Sequence, residues 1–369
     1  MLEKEKLLSI LRLQKTKNVG DILAKKLIAA TGDVTQIFHE RPSNLLKING
    51  IGTYALKDLF NNETLKHAEN EFDYIQANSI DISYFLDDDY PKNLQNCIDA
   101  PILFFKDGKI NLNNDRILSI VGTRNMTSYG RAFCTELIQE LKAYHPIIIS
   151  GFAYGVDICA HQQALENDLQ TIAVLAHGFD HIYPKIHKRF VHQLNKNGGF
   201  ITEFWHGEKP LREHFLRRNR IVAGISQATI VIESARRGGA LVTADIANSY
   251  GRDVFAVPGR TSDFFSEGCN HLVRNHKAAI LTKCSDITTM LNWDLSPSKN
   301  PSSVQKQFLF DLNDLEQKVC AHLFEHGKQT LDFIAVACSI PVHKLAPMLL
   351  KLEMKGVLRP LPGKLFELV

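Results

Sequence analysis

A chain of 369 residues, 44% hydrophobic and 22% charged, is long enough for two or three domains, because a single core stops growing near roughly 250 residues. No apolar run approaches the ~20 residues that span a bilayer, and the opening MLEKEKLLSILRL is too charged for a signal peptide, so no membrane insertion and a cytoplasmic location are predicted. The net charge of +3 decides nothing by itself, but residues 181–220 hold nine Lys or Arg against three Glu. That surplus suits either a solvated basic face or a surface that tracks phosphates. Seven scattered cysteines, never in C-x-x-C, support neither a disulfide framework nor a zinc site.

Residues 1–70 alternate amphipathic helical patterns with glycine turns. NVGDILAKKLI at 18–28 and INGIGTYALKDL at 48–59 each lead from a glycine turn into a helix whose first N–H groups are free to meet a phosphate oxygen. The second has the form of a helix-hairpin-helix element; the first lacks its second glycine. A small helical packing domain would keep the same glycines for shape.

Residues 80–293 carry apolar β-branched runs at ILSIVG, PIIISG, TIAVLA, GGFITE, ATIVIE and DVFAVPG, separated by helical or mixed stretches. Runs of this kind are strands buried on both faces, which predicts an α/β domain with a doubly wound, mostly parallel, Rossmann-like sheet. Ligands of such sheets gather at the carboxyl ends of the strands. Those ends hold Gly122 and Arg124, then Ser150, Gly151 and Gly155, with Ser128 a few residues past the first turn. Glycine there lets backbone N–H groups approach an anion, and the two serines add hydroxyl donors.

The first turn is not G-x-G-x-x-G and no G-x-x-x-x-G-K-[ST] occurs, so neither a dinucleotide nor ATP hydrolysis has support and no cofactor is predicted. H-E-x-x-H and G-x-S-x-G are also absent, and Asp157 and Glu233 read as turn stabilisers, leaving no catalytic constellation and no metal site. Beside the glycines the chain is rich in cations: Arg124, Lys185, Arg212, Arg217, Arg218 and Arg220. Arginine binds phosphate bidentately, and a row of basic groups suits successive phosphates of a strand. Tyr129, Phe152, Tyr154, Phe179, Tyr183 and Phe215 are interleaved; they can stack on unpaired bases or simply pack.

DLSPSKNPSSVQKQ at 294–307 reads as a linker. Residues 308–369 then show three helical patterns and two short strands, the layout of a winged helix. Its third helix, at 341–356, holds His343, Lys344, Lys351 and Lys355 against Glu353. That modest charge suits protein contact or packing as well as duplex DNA.

The ordered segments IVGTRNMTSYG, SGFAYGVDICAH, AVLAHGFDHIYP, FLRRNRIVAGIS, GGALVTA and VFAVPGRTSDFFSEGCNHLV resemble those of the DNA-processing protein A (DprA/Smf) family. The resemblance implies an extended Rossmann fold flanked by helix-hairpin-helix and winged-helix domains, without enzymatic activity. It implies a homodimer that binds single-stranded DNA in natural transformation and loads a RecA-type recombinase. It places phosphate contacts on Arg124, Lys185 and Arg212, a glycine-rich pocket on Gly122, Ser128, Ser150, Gly151 and Gly155, and the R-N-R motif on Arg218, Asn219 and Arg220. Ala-His-Gly at 176–178, Leu216 and Gly238 depart from the usual pattern. The alternative is a nucleotide phosphoribohydrolase of the lysine decarboxylase-like group, whose P-G-G-x-G-T-x-x-E motif would fall on ARRGGALVTAD, with Asp245 in place of the glutamate.

Overall fold

The computed structural model describes residues 3–293, 312–355, 357–361 and 365–368, so the linker expected over 294–307 lies outside the described residues. The chain divides into two compact units, residues 1–296 and 297–369.

The six apolar runs form the centre of a nine-stranded sheet: β3 (Ile117–Val121), β4 (Ile147–Ser150), β5 (Thr171–Val174), β6 (Gly198–Thr202), β7 (Ala228–Val231) and β8 (Asp253–Ala256). Three further strands complete it: β1 (Asp81–Tyr84), β2 (Leu103–Gly108) and β9 (Ala279–Ile280). The spatial order is β1-β2-β6-β5-β4-β3-β7-β8-β9. Pairing is parallel from β6 through to β9 and antiparallel where β1 meets β2 and β2 meets β6. Side chains alternate between faces along each strand. Ile117 and Val121 pack on one side with helices Arg212–Ile225 and Gly239–Ser249. Leu118 and Ile120 pack on the other with helices Ser128–Leu141 and Val156–Glu166. Covered faces are what let β-branched residues run unbroken through these strands.

From β3 the chain winds outward through β4, β5 and β6, then crosses back to place β7 on the opposite flank of β3. The winding direction therefore reverses between β3 and β7, and the loops leaving these strands diverge there. In open α/β sheets this is where a crevice forms.

The amino-terminal helices, among them Lys4–Lys15, Asp21–Thr31 and Asn62–Ala77, are not insulated from the sheet. Leu7, Ile10, Leu27 and Leu59 share one apolar cluster with Ile102, Leu103 and Phe105 of the sheet edge and with Trp205. The first glycine turn faces inward: the Asp21 carboxylate accepts the Ile102 amide at 2.9 Å and pairs with Arg220 at 3.1 Å. The first helical residue thus sets its carboxylate against Ile102 and Arg220, while the helix start itself has no side-chain cap.

The second unit has helices Asp314–His326, Leu331–Cys338 and Val342–Met354, and a three-stranded antiparallel sheet. The sheet holds β10 (Gln329–Thr330), β11 (Leu358–Leu361) and β12 (Leu365–Leu368), in the order β10-β12-β11. Asn313 and Glu316 cap the first helix reciprocally, and Leu323, Ile334, Leu345 and Leu349 form the unit's own core. This is the winged-helix arrangement, with β10 added to the two strands foreseen. All seven cysteines are buried and unbridged.

Candidate functional site

A cleft of about 520 Å³ lies at the switch point. Its walls come from the loop after β3 (Gly122, Thr123, Arg124), Gly151 after β4, one face of helix Arg212–Ile225, and the Arg237-Gly238-Gly239 turn that opens helix Gly239–Ser249. That helix has no side-chain cap, and Gly238, Gly239 and Ala240 at its start line the cleft, where free helix N–H groups favour an anion.

Two glycines make this convergence possible. Gly155 has φ +74°, and a Cβ there would stand 2.2 Å from the Thr123 carbonyl oxygen. At Gly151 a Cβ would reach 2.4 Å from an Asp157 carboxylate oxygen and 2.5 Å from a guanidinium nitrogen of Arg218. The bare backbone at 151 therefore leaves room for an acid and a cation side by side at the cleft.

Arg218 is the deepest cation, 5% exposed. One Nη donates to the Val174 carbonyl, while its buried Nε has no protein partner. Burial pulls the guanidinium's pKa down, and the nearby Asp157 opposes that shift. Burial likewise raises the Asp157 carboxyl, with Arg218 and the Ala153 amide working against it. Arg124 is exposed, its guanidinium 5.5 Å from the centre of the Phe215 ring. Arg124, Arg212 and Arg237 form no ion pair with any described residue, so their charge is available to a ligand.

Of the residues singled out in the sequence, Gly122, Arg124, Gly151, Arg212, Arg218 and Asn219 line this cleft together. Others stand elsewhere. Ser128, exposed at its helix start, lines a neighbouring cavity. Gly155 supports the β3 loop from behind. Lys185 is exposed on the short turn Lys185–Phe190, outside the cleft lining, though nearby Tyr183 packs edge-on to Phe215 with ring centres 5.7 Å apart. Ser150 is buried and donates its hydroxyl to the Ile120 carbonyl at 2.6 Å, so it offers no proton to an anion.

Arg220 is turned away altogether. It pairs with Glu203 and Asp21 and donates to the Asp99 carbonyl, while Arg217 joins the same group at 2.8 Å from Glu203. Helix geometry is the reason: residues advance about 100° each, so an arginine-rich run cannot present every member to one side. Positions 212, 215, 219 and 222 share the cleft face, whereas 217 and 220, three apart, share another.

Arg237 and the helix start beside it escaped the sequence reading. The signal was the Arg-Arg-Gly-Gly turn immediately after a central strand, readable only once β7 is known to flank β3. Asp245, the acid that the phosphoribohydrolase alternative would use, pairs with Lys277 at 2.8 Å and does not line the cleft. Among the described residues no three His, Cys, Asp or Glu side chains are grouped to hold a metal ion, and no single helix is long and apolar enough to cross a membrane.

In the second unit, Glu316 holds Lys351 at 3.1 Å and Lys355 at 3.0 Å. The third helix therefore has two of its cations engaged, and it exposes Leu350 and Met354 instead.

Residues 81–292 match the family described as DNA recombination-mediator protein A, and residues 305–364 match the DprA winged helix domain. The DNA processing protein DprA of Streptococcus pneumoniae is 38% identical over 221 residues, covering 60% of this chain and 76% of that protein. The X-ray structure of DNA processing protein A from Streptococcus pneumoniae superposes with a TM-score of 0.68 at 31% identity, over 80% of this chain and 99% of that one. A structure describing the single-stranded DNA binding mode of DNA processing protein A from Helicobacter pylori superposes with a TM-score of 0.52 at 27% identity, over 58% of this chain and 95% of the other. The chain belongs to the DNA recombination-mediator protein A family.

Proposed function

We propose that this chain binds single-stranded DNA along the switch-point cleft and delivers the strand to a RecA-type recombinase, acting as a homodimer without chemistry of its own. The observation that carries the reading is the convergence of Arg124, Arg212, Arg218 and Arg237, drawn from three separate segments, on one cleft beside an uncapped helix start. A single phosphate is satisfied by one or two such groups; four suit consecutive phosphates of a strand. The single-stranded DNA binding of the Helicobacter pylori relative supports the same ligand. Lys185, exposed two residues from the Tyr183 ring that packs on Phe215, extends the cationic track beyond the cleft, and the exposed Ser128 adds a neutral hydroxyl donor near it.

Binding of a labelled oligonucleotide by fluorescence anisotropy tests the first part. Arg124→Glu and Lys185→Glu should each weaken binding to unrelated sequences alike, because backbone contacts carry no sequence information; unchanged affinity in both variants removes the assignment. Delivery is tested by the rate at which a RecA-type recombinase assembles on strand coated with single-strand-binding protein, with and without this chain. No acceleration would leave a DNA-binding protein that is not a loader.

A further inference from the structure

A second cavity, of about 920 Å³, opens beside the cleft. Its lining combines the start of helix Ser128–Leu141, Glu233 after β7, and the loop after β8 from Pro258 to Ser266. Its chemistry differs from that of the cleft. Two large rings stand open in it: Phe264 is 63% exposed, propped edge-on against Phe265, and Tyr129 is 50% exposed. The Tyr129 hydroxyl donates to the Pro258 carbonyl at 2.9 Å, which holds the ring in place while leaving it uncovered. Flat apolar faces held open to water in one concavity are suited to a planar partner.

The charge is also different. The Glu233 carboxylate is consumed by the Thr127 amide and hydroxyl. The groups left free to meet a ligand are Arg260, which has no ion-pair partner among the described residues, and the carboxylate of Asp263, while Glu233 keeps its negative charge. One cation among two carboxylates does not attract phosphate as four arginines do, but Arg260 and Asp263 offer a donor and an acceptor to a neutral, hydrogen-bonding ring. The two cavities are neighbours: consecutive residues Glu233 and Ser234 line one each, and Arg124 and Ser128 are separated by at most about 14 Å of extended chain.

We propose that this cavity receives an unpaired base of the strand whose backbone lies in the switch-point cleft, stacked on Phe264 and Tyr129, with Arg260 and Asp263 meeting its polar edge. The proposal rests on the single-strand reading above, and the test separates the two. Oligonucleotides carrying one 2-aminopurine, walked along the strand, are titrated with the full chain while anisotropy and 2-aminopurine fluorescence are recorded together. Anisotropy reports the backbone contacts; quenching reports stacking. The expected result is strong quenching at a restricted set of positions, lost in Phe264→Ala and reduced in Tyr129→Leu. Affinity in Phe264→Ala should fall about tenfold, the size of one lost stacked base. Phe264 is largely exposed, so its removal leaves the core intact; Arg260→Gln, a second surface change, should also weaken quenching. Binding without quenching at any position, or quenching that survives Phe264→Ala, overturns the base pocket and leaves the cleft reading standing. Absence of any oligonucleotide binding overturns both.

Discussion

Arg218 and Asp157 both close on the bare backbone of Gly151, where a Cβ would come within 2.5 Å of a guanidinium nitrogen and 2.4 Å of a carboxylate oxygen. Neither group could keep its place beside an alanine. Gly151→Ala should therefore push Arg218 out of register with the cleft and cost about 1–3 kcal/mol of stability, the range for overpacking a filled site. Urea denaturation measures the second effect and oligonucleotide anisotropy the first. A variant with unaltered stability and affinity would refute the close approach.

Arg220 and Arg124 should respond in opposite ways. Removing Arg220 leaves the buried Glu203 carboxylate and Asp21 with only the half-exposed Arg217 as a partner, so the cost should approach, without exceeding, the roughly 3–5 kcal/mol of a broken buried ion pair. Arg220→Ala should lower the denaturation midpoint sharply. Arg124→Ala, with no ion pair to lose, should leave the midpoint unchanged while weakening DNA binding. The reverse pattern would place Arg220 in the interface after all.

The salt dependence of binding counts the phosphates engaged. For single strands the logarithm of affinity falls with the logarithm of salt by about 0.7 per neutralised phosphate. Arg212→Ala and Arg237→Ala should each flatten that slope by about 0.7. A variant that binds more weakly at an unchanged slope would indicate a role in shaping the cleft, with no phosphate contact.

Beneath the cleft, His161 has Nε2 at 2.6 Å from the Gly151 carbonyl and Nδ1 at 2.6 Å from the Thr171 hydroxyl. Burial lowers its pKa from 6.5 to about 4. Between those values the unfolded chain takes up a proton that the folded chain refuses, so this contribution is complete above about pH 6.5 and is lost as pH falls toward 4. The expected loss is of the order of a few kcal/mol. Denaturation midpoints at pH 7, 6 and 5 should decline in that order, and the His161 ring resonances should show no titration above pH 5. A ring that titrates near 6.5 would contradict the buried neutral imidazole.

The sequence by itself determined the local grammar of this protein. Unbroken β-branched runs such as ILSIVG and ATIVIE, short and flanked by glycine or loop residues, point to strands covered on both sides, and glycines at strand ends suit loops that approach a ligand. The periodic helices of the last sixty residues, followed by two short strands, similarly dictate a winged helix. These features depend on neighbours in the chain, and spacing alone expresses them. Strands β1, β2 and β9 were not legible, because they lie toward the sheet edges, where burial is incomplete and no unbroken β-branched run is needed, and they gain their order by pairing with a sheet already formed.

Tertiary structure decided which candidate residues share a site. Whether Arg218 faces a cleft while Arg220 faces Glu203 depends on which side of one helix meets the sheet, and an arginine count contains no such phase. Ser150 looked like a donor because it ends a strand beside a glycine, yet strand pleating aims its hydroxyl at Ile120. Arg237 joined the site only because β7 returns to lie beside β3, bringing together loops more than a hundred residues apart. The physical reason is the same each time: a side chain's residue type sets its chemistry, but long-range packing sets its direction.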